Sequence, residues 1–302
     1  MANTPIHTLD LNFQGRPLSI ASYMIEHGSG VVLVESGPGS TLDSLSTALK
    51  FYGYDLHNVT HVLLTHIHLD HAGAAGALAA KGAKIYVHPQ GAAHMLNPEK
   101  LLNSAGRIYG SMMDTLWGQF LPVPQENLVI LQDNEEVVVG NLQFRALNVP
   151  GHAEHHYAYQ FENVCFSGDI GAVRIPGYPY LRVPMPPPEF HMEKWRHSVS
   201  ELQKMKFKQI APTHFGLFDD VEWHLASIIK ALNDVEIWLK SNMPTDPPLE
   251  TLKENFLAWM DKQAASQGLT HEASEAYRLA NPVGMSVDGL VRYWKKYRSD
   301  LG

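Results

Sequence analysis

Apolar and β-branched residues fall in short runs over the first two thirds of the chain and at three- and four-residue steps over the last third. The runs SIASYMIE (19–26) and GVVLVESG (30–37), joined through HGSG, predict a hairpin. Further strands are predicted at VTHVLLTH (59–66), AKIYVHP (83–89), HHYAYQF (155–161), NVCFSGD (163–169) and FKQIAPTH (207–214), with two or three more within 128–149. AGAAGALAAKG (72–82) reads as a small-residue helix packed closely on a sheet and ending at Gly82. Two stretches interrupt the pattern. Residues 90–121 read as helical and are rich in Met, Leu, Trp and Phe, while IPGYPYLRVPMPPPEF (175–190) is a proline-stiffened loop.

From Val221 the period changes. Leu225, Ile228, Ile229, Leu232, Val235 and Leu239 mark one face of a helix, which MPTDPP (243–248) breaks. Leu249, Leu252, Phe256 and Trp259 repeat the spacing up to Gly268, and Ser286 is expected to cap a last helix carrying Leu290, Tyr293, Trp294 and Tyr297. The chain therefore divides into a sheet-bearing part, residues 1–220, and a helical part, residues 221–302.

Composition narrows the function classes. The 302 residues are 45% hydrophobic and 18% charged, enough for a large core. A net charge of −8 argues against a protein that grips nucleic-acid phosphates. No apolar run reaches a membrane span, and the first residues do not read as a secretory leader. A single cysteine, Cys165, excludes an intrachain disulfide framework and suits a reducing compartment. The expectation is a soluble cytoplasmic protein acting on a small molecule, with neither nucleic acid nor membrane as partner.

Histidine is the outlier, with 17 copies. THIHLDHAG (65–73) sets His66, His68, Asp70 and His71 directly after a predicted strand. Side chains alternate along an extended segment, so His66, His68 and Asp70 start on one side, and a following turn brings in His71. Four neighbours on one short loop cannot comfortably encircle one ion, but they can be shared between two. That arrangement requires further ligands at other strand ends. LNVPGHAEHH supplies His152, VCFSGDIG supplies Asp169, and KQIAPTHFG supplies His214.

This ordered set of seven, spread over about residues 19–216, resembles the metallo-β-lactamase superfamily. The resemblance implies an α/β (α+β) fold, a four-layer αβ/βα sandwich with a C-terminal helical extension and the metals at one edge. It implies that His66, His68 and His152 hold one ion, that Asp70, His71 and His214 hold a second, and that Asp169 bridges them. Such a pair acidifies a shared water to supply the nucleophile. The all-N/O set suits zinc best, with manganese and iron using the same ligand types. Asp70 would also orient the nucleophile.

Departures within the family narrow the chemistry. Lactamases with a thiolate ligand carry cysteine where this chain has Asp169, and the oxygen-reducing branch has a carboxylate in place of His68. Quorum-signal lactonases place a tyrosine three residues after the bridging aspartate, where this chain has Ala172, so Tyr178 and Tyr180 are the candidates to replace it as oxyanion donors. Glyoxalase-II-like thioesterases share the ligand set. The expected activity is hydrolysis of a carboxylic ester, lactone or thioester, with phosphodiester cleavage as the alternative. Met112, Met113, Leu116, Trp117 and Phe120 are read as an apolar lid. Glu35, in ESGPG, is read either as a carboxylate behind the metals or as part of a turn leading to a helix. His155 and His156 are read chiefly as polar residues on a strand face. The helical part is expected to wall the pocket, form a homodimer interface, or both.

Overall fold

A computed structural model describes residues 4–298. Its eleven strands form two sheets. The first contains β1 (Ile6–Asp10), β2 (Ala21–His27), β3 (Gly30–Val34), β4 (Val59–Leu63), β5 (Lys84–Val87) and β6 (Leu128–Ile130), in that order. The second contains β7 (Glu136–Val139), β8 (Leu142–Asn148), β9 (Tyr157–Phe161), β10 (Val164–Phe166) and β11 (Gln209–Ala211), with β11 and β7 at its edges. The inner faces pack together through Tyr23, Val32, Leu63, Phe144, Tyr159 and Phe166, all buried.

Helices cover both outer faces. On the first sheet lie α1 (Leu42–Phe51), α2 (Leu69–Ala72), α3 (Ala75–Ala79), α4 (Pro89–Leu96), α5 (Glu99–Tyr109) and α6 (Met113–Trp117), where Leu45, Leu49 and Leu78 pack on Met24, Leu33 and Ile85. On the second lie α7 (Met192–Lys204), α8 (Val221–Asn242), α9 (Leu249–Ser266) and α11 (Val283–Tyr297). Their Trp195, Leu225, Phe256 and Leu290 join one core with Leu147, Cys165 and Ile210 of that sheet. The remaining helix, α10 (His271–Ala280), packs Tyr277 on Val173 and Ile175. The expected four-layer αβ/βα sandwich is the architecture observed, and its helical extension shares a core with the second sheet.

Four details depart from the sequence reading. β1 and α10 have no strong periodicity and were not anticipated. The small-residue helix is shorter than its run, α3 alone, and is preceded by the separate turn α2 on the histidine motif. The last helix starts at Val283 after Pro282, so Ser286 lies inside it and its hydroxyl bonds to Asn281 Oδ1 at 2.8 Å rather than capping the end. Proline at the helix entrance loses nothing by lacking an N–H, which explains the earlier start.

Strand direction places the site. β8 and β10 each run antiparallel to β9, and β11 runs parallel to β10, so all three finish at the same edge of the second sheet. The segments that follow them carry His152, Asp169 and His214, while the segment after β4 brings the short motif from the first sheet.

Candidate metal centre

The structure brings all seven sequence-derived side chains together. His66 and His68 leave the extended segment after β4, while Asp70 and His71 belong to the first turn of α2. This change of backbone at His68 turns Asp70 away from the face that simple alternation predicts. Asp70 Oδ2 lies 3.5 Å from His71 Nε2 and 3.4 Å from His214 Nε2.

Two separate donor clusters result, His66–His68–His152 and Asp70–His71–His214; a third grouping, Glu35–His66–His71, borrows one histidine from each. In the first, His68 Nδ1 is 2.9 Å from both His66 Nε2 and His152 Nε2. Asp169 reaches both clusters. Its Oδ2 is 3.3 Å from His152 Nε2, and its Oδ1 is 3.3 Å from His71 Nε2 and 3.5 Å from His214 Nε2.

Hydrogen bonds behind the rings fix which nitrogen faces inward. His152 Nδ1 donates to the Pro184 carbonyl at 3.0 Å, and His214 Nδ1 to the Ser19 carbonyl at 2.7 Å. Carbonyls only accept, so both Nε2 atoms keep their lone pairs for the centre. His71 Nδ1 is held by Glu35 Oε1 at 3.0 Å. Thr65 gives its one hydroxyl proton to Glu35, so at 3.1 Å it accepts from His66 Nδ1 and leaves that ring's Nε2 bare as well.

Glu35 is thus the carboxylate behind the centre. It is fully buried, and Oε1 also accepts from Thr213 Oγ1 at 3.0 Å while Oε2 accepts from the Thr65 backbone N–H at 3.3 Å. These donors occupy its lone pairs, which makes it a brace for His71. Its φ of 70° is unusual for a residue with a Cβ, and strain of this kind collects where geometry is held for function. Gly168, at φ 52°, lets the chain pass behind Asp169; a Cβ there would meet Thr65 Oγ1 at 2.5 Å. His156 Nε2 accepts from the Asp169 backbone N–H at 3.1 Å. His155 lines the cleft, with Nε2 3.4 Å from Glu189 Oε2. Neither is merely a strand-face residue.

The electrostatics of the two clusters differ. Burial and the neighbouring His71, His68, His156 and His152 push His66 well below the ordinary histidine range, and burial with His152 takes His68 down to about 3. Burial would lower His71 too, but Asp70, Asp169 and Glu35 hold it well above its usual value. His214 is raised against burial by Asp169 and Asp70. Both aspartates are held below the carboxylate range, against burial, by the histidines facing them.

The donor chemistry fits divalent ions. Three imidazole nitrogens converge on one point, and at the other His71 Nε2, His214 Nε2 and Asp169 Oδ1 are buried without a hydrogen-bond partner among the described residues. Orphaned buried polar atoms of this kind are costly unless something binds them.

A cleft of about 330 Å³ opens onto these residues, lined by Ile67, Leu69, Ile108, Tyr109, Trp117 and Met285 among others. Tyr178 and Tyr180 are not part of its wall. The Tyr178 hydroxyl pairs with Thr270 Oγ1 at 3.2 Å, and that of Tyr180 accepts from Arg182 Nε at 3.2 Å. The proline loop turns them toward α10, which corrects the expectation that one reaches the metals. The tyrosine in the cleft is Tyr109, at the end of α5. Its hydroxyl donates to Met285 Sδ at 3.3 Å, and burial together with the nearby charge of Asp70 raises its pKa. A tyrosine on a helix of the 90–121 insertion has no local sequence signal separating it from core aromatics.

Comparison with known proteins identifies the family and the fold. The profile of the metallo-beta-lactamase superfamily matches residues 15–214. A metallo-beta-lactamase fold-containing protein of Sulfurisphaera tokodaii, ST1585, is 25% identical over 211 residues, 66% of this chain and 74% of that one. A hydroxyacylglutathione hydrolase of Aeromonas salmonicida is 28% identical over 148 residues, 49% of this chain and 44% of its own length. Among solved structures, that of the same ST1585, an archaeal metallo-beta-lactamase superfamily protein, superposes with a TM-score of 0.63 at 19% identity, covering 96% of this chain and 99% of that one. The chain belongs to the metallo-beta-lactamase superfamily and is a metal-dependent hydrolase.

Proposed function

We propose that the protein hydrolyses a small carboxylic ester, lactone or thioester with an apolar acyl or aryl part, using two divalent ions, zinc foremost. The ions would be held by His66, His68 and His152 on one side and by Asp70, His71 and His214 on the other, with Asp169 between. When bound, such a pair acidifies water and polarises a carbonyl.

The observation carrying the substrate class is the cleft wall. It is built mainly from apolar and aromatic side chains, and Lys100 is its one lysine or arginine among the described residues. A phosphodiester or polyphosphate substrate calls for a denser cationic wall, so the cleft favours carbonyl chemistry. Relatives of low identity named as a thioesterase (Emericella nidulans) and a hydroxyacylglutathione hydrolase support the same reading; this chain spans 34% and 44% of their lengths.

The chain's own groups then have definite tasks. Trp117, packed on Phe13 with ring centroids 5.6 Å apart, and Ile108 receive the apolar part of the substrate. Asp70, held ionised by His71 and His214, orients the attacking water. Tyr109 donates its hydroxyl hydrogen to the developing oxyanion, because a thioether is a weak acceptor and gives that hydrogen up readily.

The test is a rate comparison of zinc-restored protein on aryl esters of increasing chain length, a lactone series, an acyl thioester and an aryl phosphodiester. Chelator-sensitive carbonyl cleavage improving with chain length is expected. Preference for the phosphodiester would overturn the reading.

A further inference from the structure

Helix α5 lies along the metal cleft. Two adjoining stripes of it, Lys100–Ser104–Ile108 and Leu101–Ala105–Tyr109, step by four residues and line the wall. Tyr109 closes the helix beside the centre, within reach of the charge of Asp70. Lys100 lies nine residues earlier, about 13 Å back along the axis. Only Asn97 and Pro98 separate α4 from α5, and His94, in the last turn of α4, lines the cleft as well. The wall therefore changes with distance from the metals, from Tyr109 and Ile108 to Ser104, His94 and Lys100.

The polar end is unpaired. Lys194, Lys204, Lys230, Lys240 and Lys253 each meet a carboxylate, whereas Lys100 meets none among the described residues. The side chains of Ser104 and His94 make no hydrogen bond among those residues either. Lys100 and Ser104 are exposed and His94 is half-buried, so water or a ligand can reach them. The carboxylates of the cleft are engaged elsewhere. Asp70 and Asp169 belong to the metal centre, while Glu189 accepts from the Glu154 backbone N–H at 3.0 Å and faces His155.

We propose, building on the carbonyl reading of the cleft, that its substrate carries a carboxylate at the end remote from the scissile carbonyl and that Lys100 selects it. Ser104 and His94 supply further hydrogen bonds, and the apolar body between the two ends lies against Ile108 and Trp117. One ammonium with two uncharged-type donors matches a monoanion, and a phosphate calls for more cations. The substrate class narrows to esters or thioesters of acyl chains that end in a carboxylate.

The p-nitrophenyl monoesters of adipic, suberic and sebacic acid, each paired with the methyl-ended ester of equal length, test this on zinc-loaded protein. For at least one length, kcat/KM should favour the carboxylate-ended ester. Lys100→Met should lower that ratio about tenfold, mainly through KM, because the contact is remote from the reacting atoms. Lys100→Glu should reverse the preference. The proposal is overturned, with the carbonyl reading intact, if the wild type prefers the methyl-ended ester at every length or if neither substitution moves the ratio. Cleavage of the phosphodiester with every ester inert would overturn the carbonyl reading and the proposal together.

Discussion

His66, His68 and His152 face one another across 2.9 Å contacts at His68 Nδ1, whereas His71 and His214 face carboxylate oxygens at 3.3 to 3.5 Å. The first group repels protons, and the second attracts them. An ion entering the first replaces only the hydrogen His68 Nδ1 shares with its two neighbours, while an ion entering the second competes with protons that the charges of Asp70 and Asp169 favour on His71 and His214. The second half also has the deeper support, since Glu35 holds His71 from behind and is itself gripped by Thr65 and Thr213. One fold thus builds two unlike donor clusters from nearly the same residue types.

The largest effect should follow from removing the group both halves share. Asp169→Ala should lose both metals by elemental analysis and lower kcat/KM on the order of 10³-fold, about 4 kcal/mol of transition-state stabilisation. Normal metal content would contradict the bridging role. Glu35→Gln separates the halves, because its amide points hydrogens at a position now surrounded by donors. Affinity for the second metal should fall about 10–100-fold, with the first retained. Equal loss at both positions would mean that the brace serves the whole centre.

Tyr109→Phe should lower kcat about tenfold with KM little changed, as expected for a donor used mainly in the transition state. A change confined to KM would reduce the residue to a wall of the cleft.

The smallest effect is on metal-free stability against pH. His66, His68, His152, His155 and His156 have folded pKa values below the unfolded 6.5, so the unfolded chain takes up more protons as pH falls past that value, and these five destabilise the fold. His71 and His214 are raised, so their contribution is full below 6.5 and lost as pH climbs through their folded values. Asp70 and Asp169 start to lose theirs only as pH falls past about 3.8, below this window. His27, His61, His88, His191 and His224 are lowered as well, so the lowered groups prevail, and the Tm of stripped protein should fall between about pH 7 and about pH 5. A rising Tm would show that the carboxylate half dominates.

How much of this was legible depended on the range of the interaction. The ligand residues stood out because metal chemistry demands particular side chains at strand ends, and strand ends show as the close of an apolar run. Glu35 stayed open between two readings, since its partners Thr65, His71 and Thr213 are up to 178 residues away. Tyr178 and Tyr180 lie near Asp169 in sequence, but the loop's backbone pairing of Val173 with Arg182 turns them away from the cleft. Tyr109 reaches the cleft only because α5 folds over the first sheet, and that is tertiary information. β1 was missed because a short edge strand looks like any polar–apolar mixture until its partner β2 is known.

The most direct test of the central claim is a zinc titration of stripped protein, following cleavage of a chromogenic aryl ester. A rise that levels off at two equivalents of zinc per chain, with Glu35→Gln needing more zinc for the second step, is the predicted result. A plateau at one equivalent, or a rate indifferent to zinc, would contradict a centre built as two unlike halves.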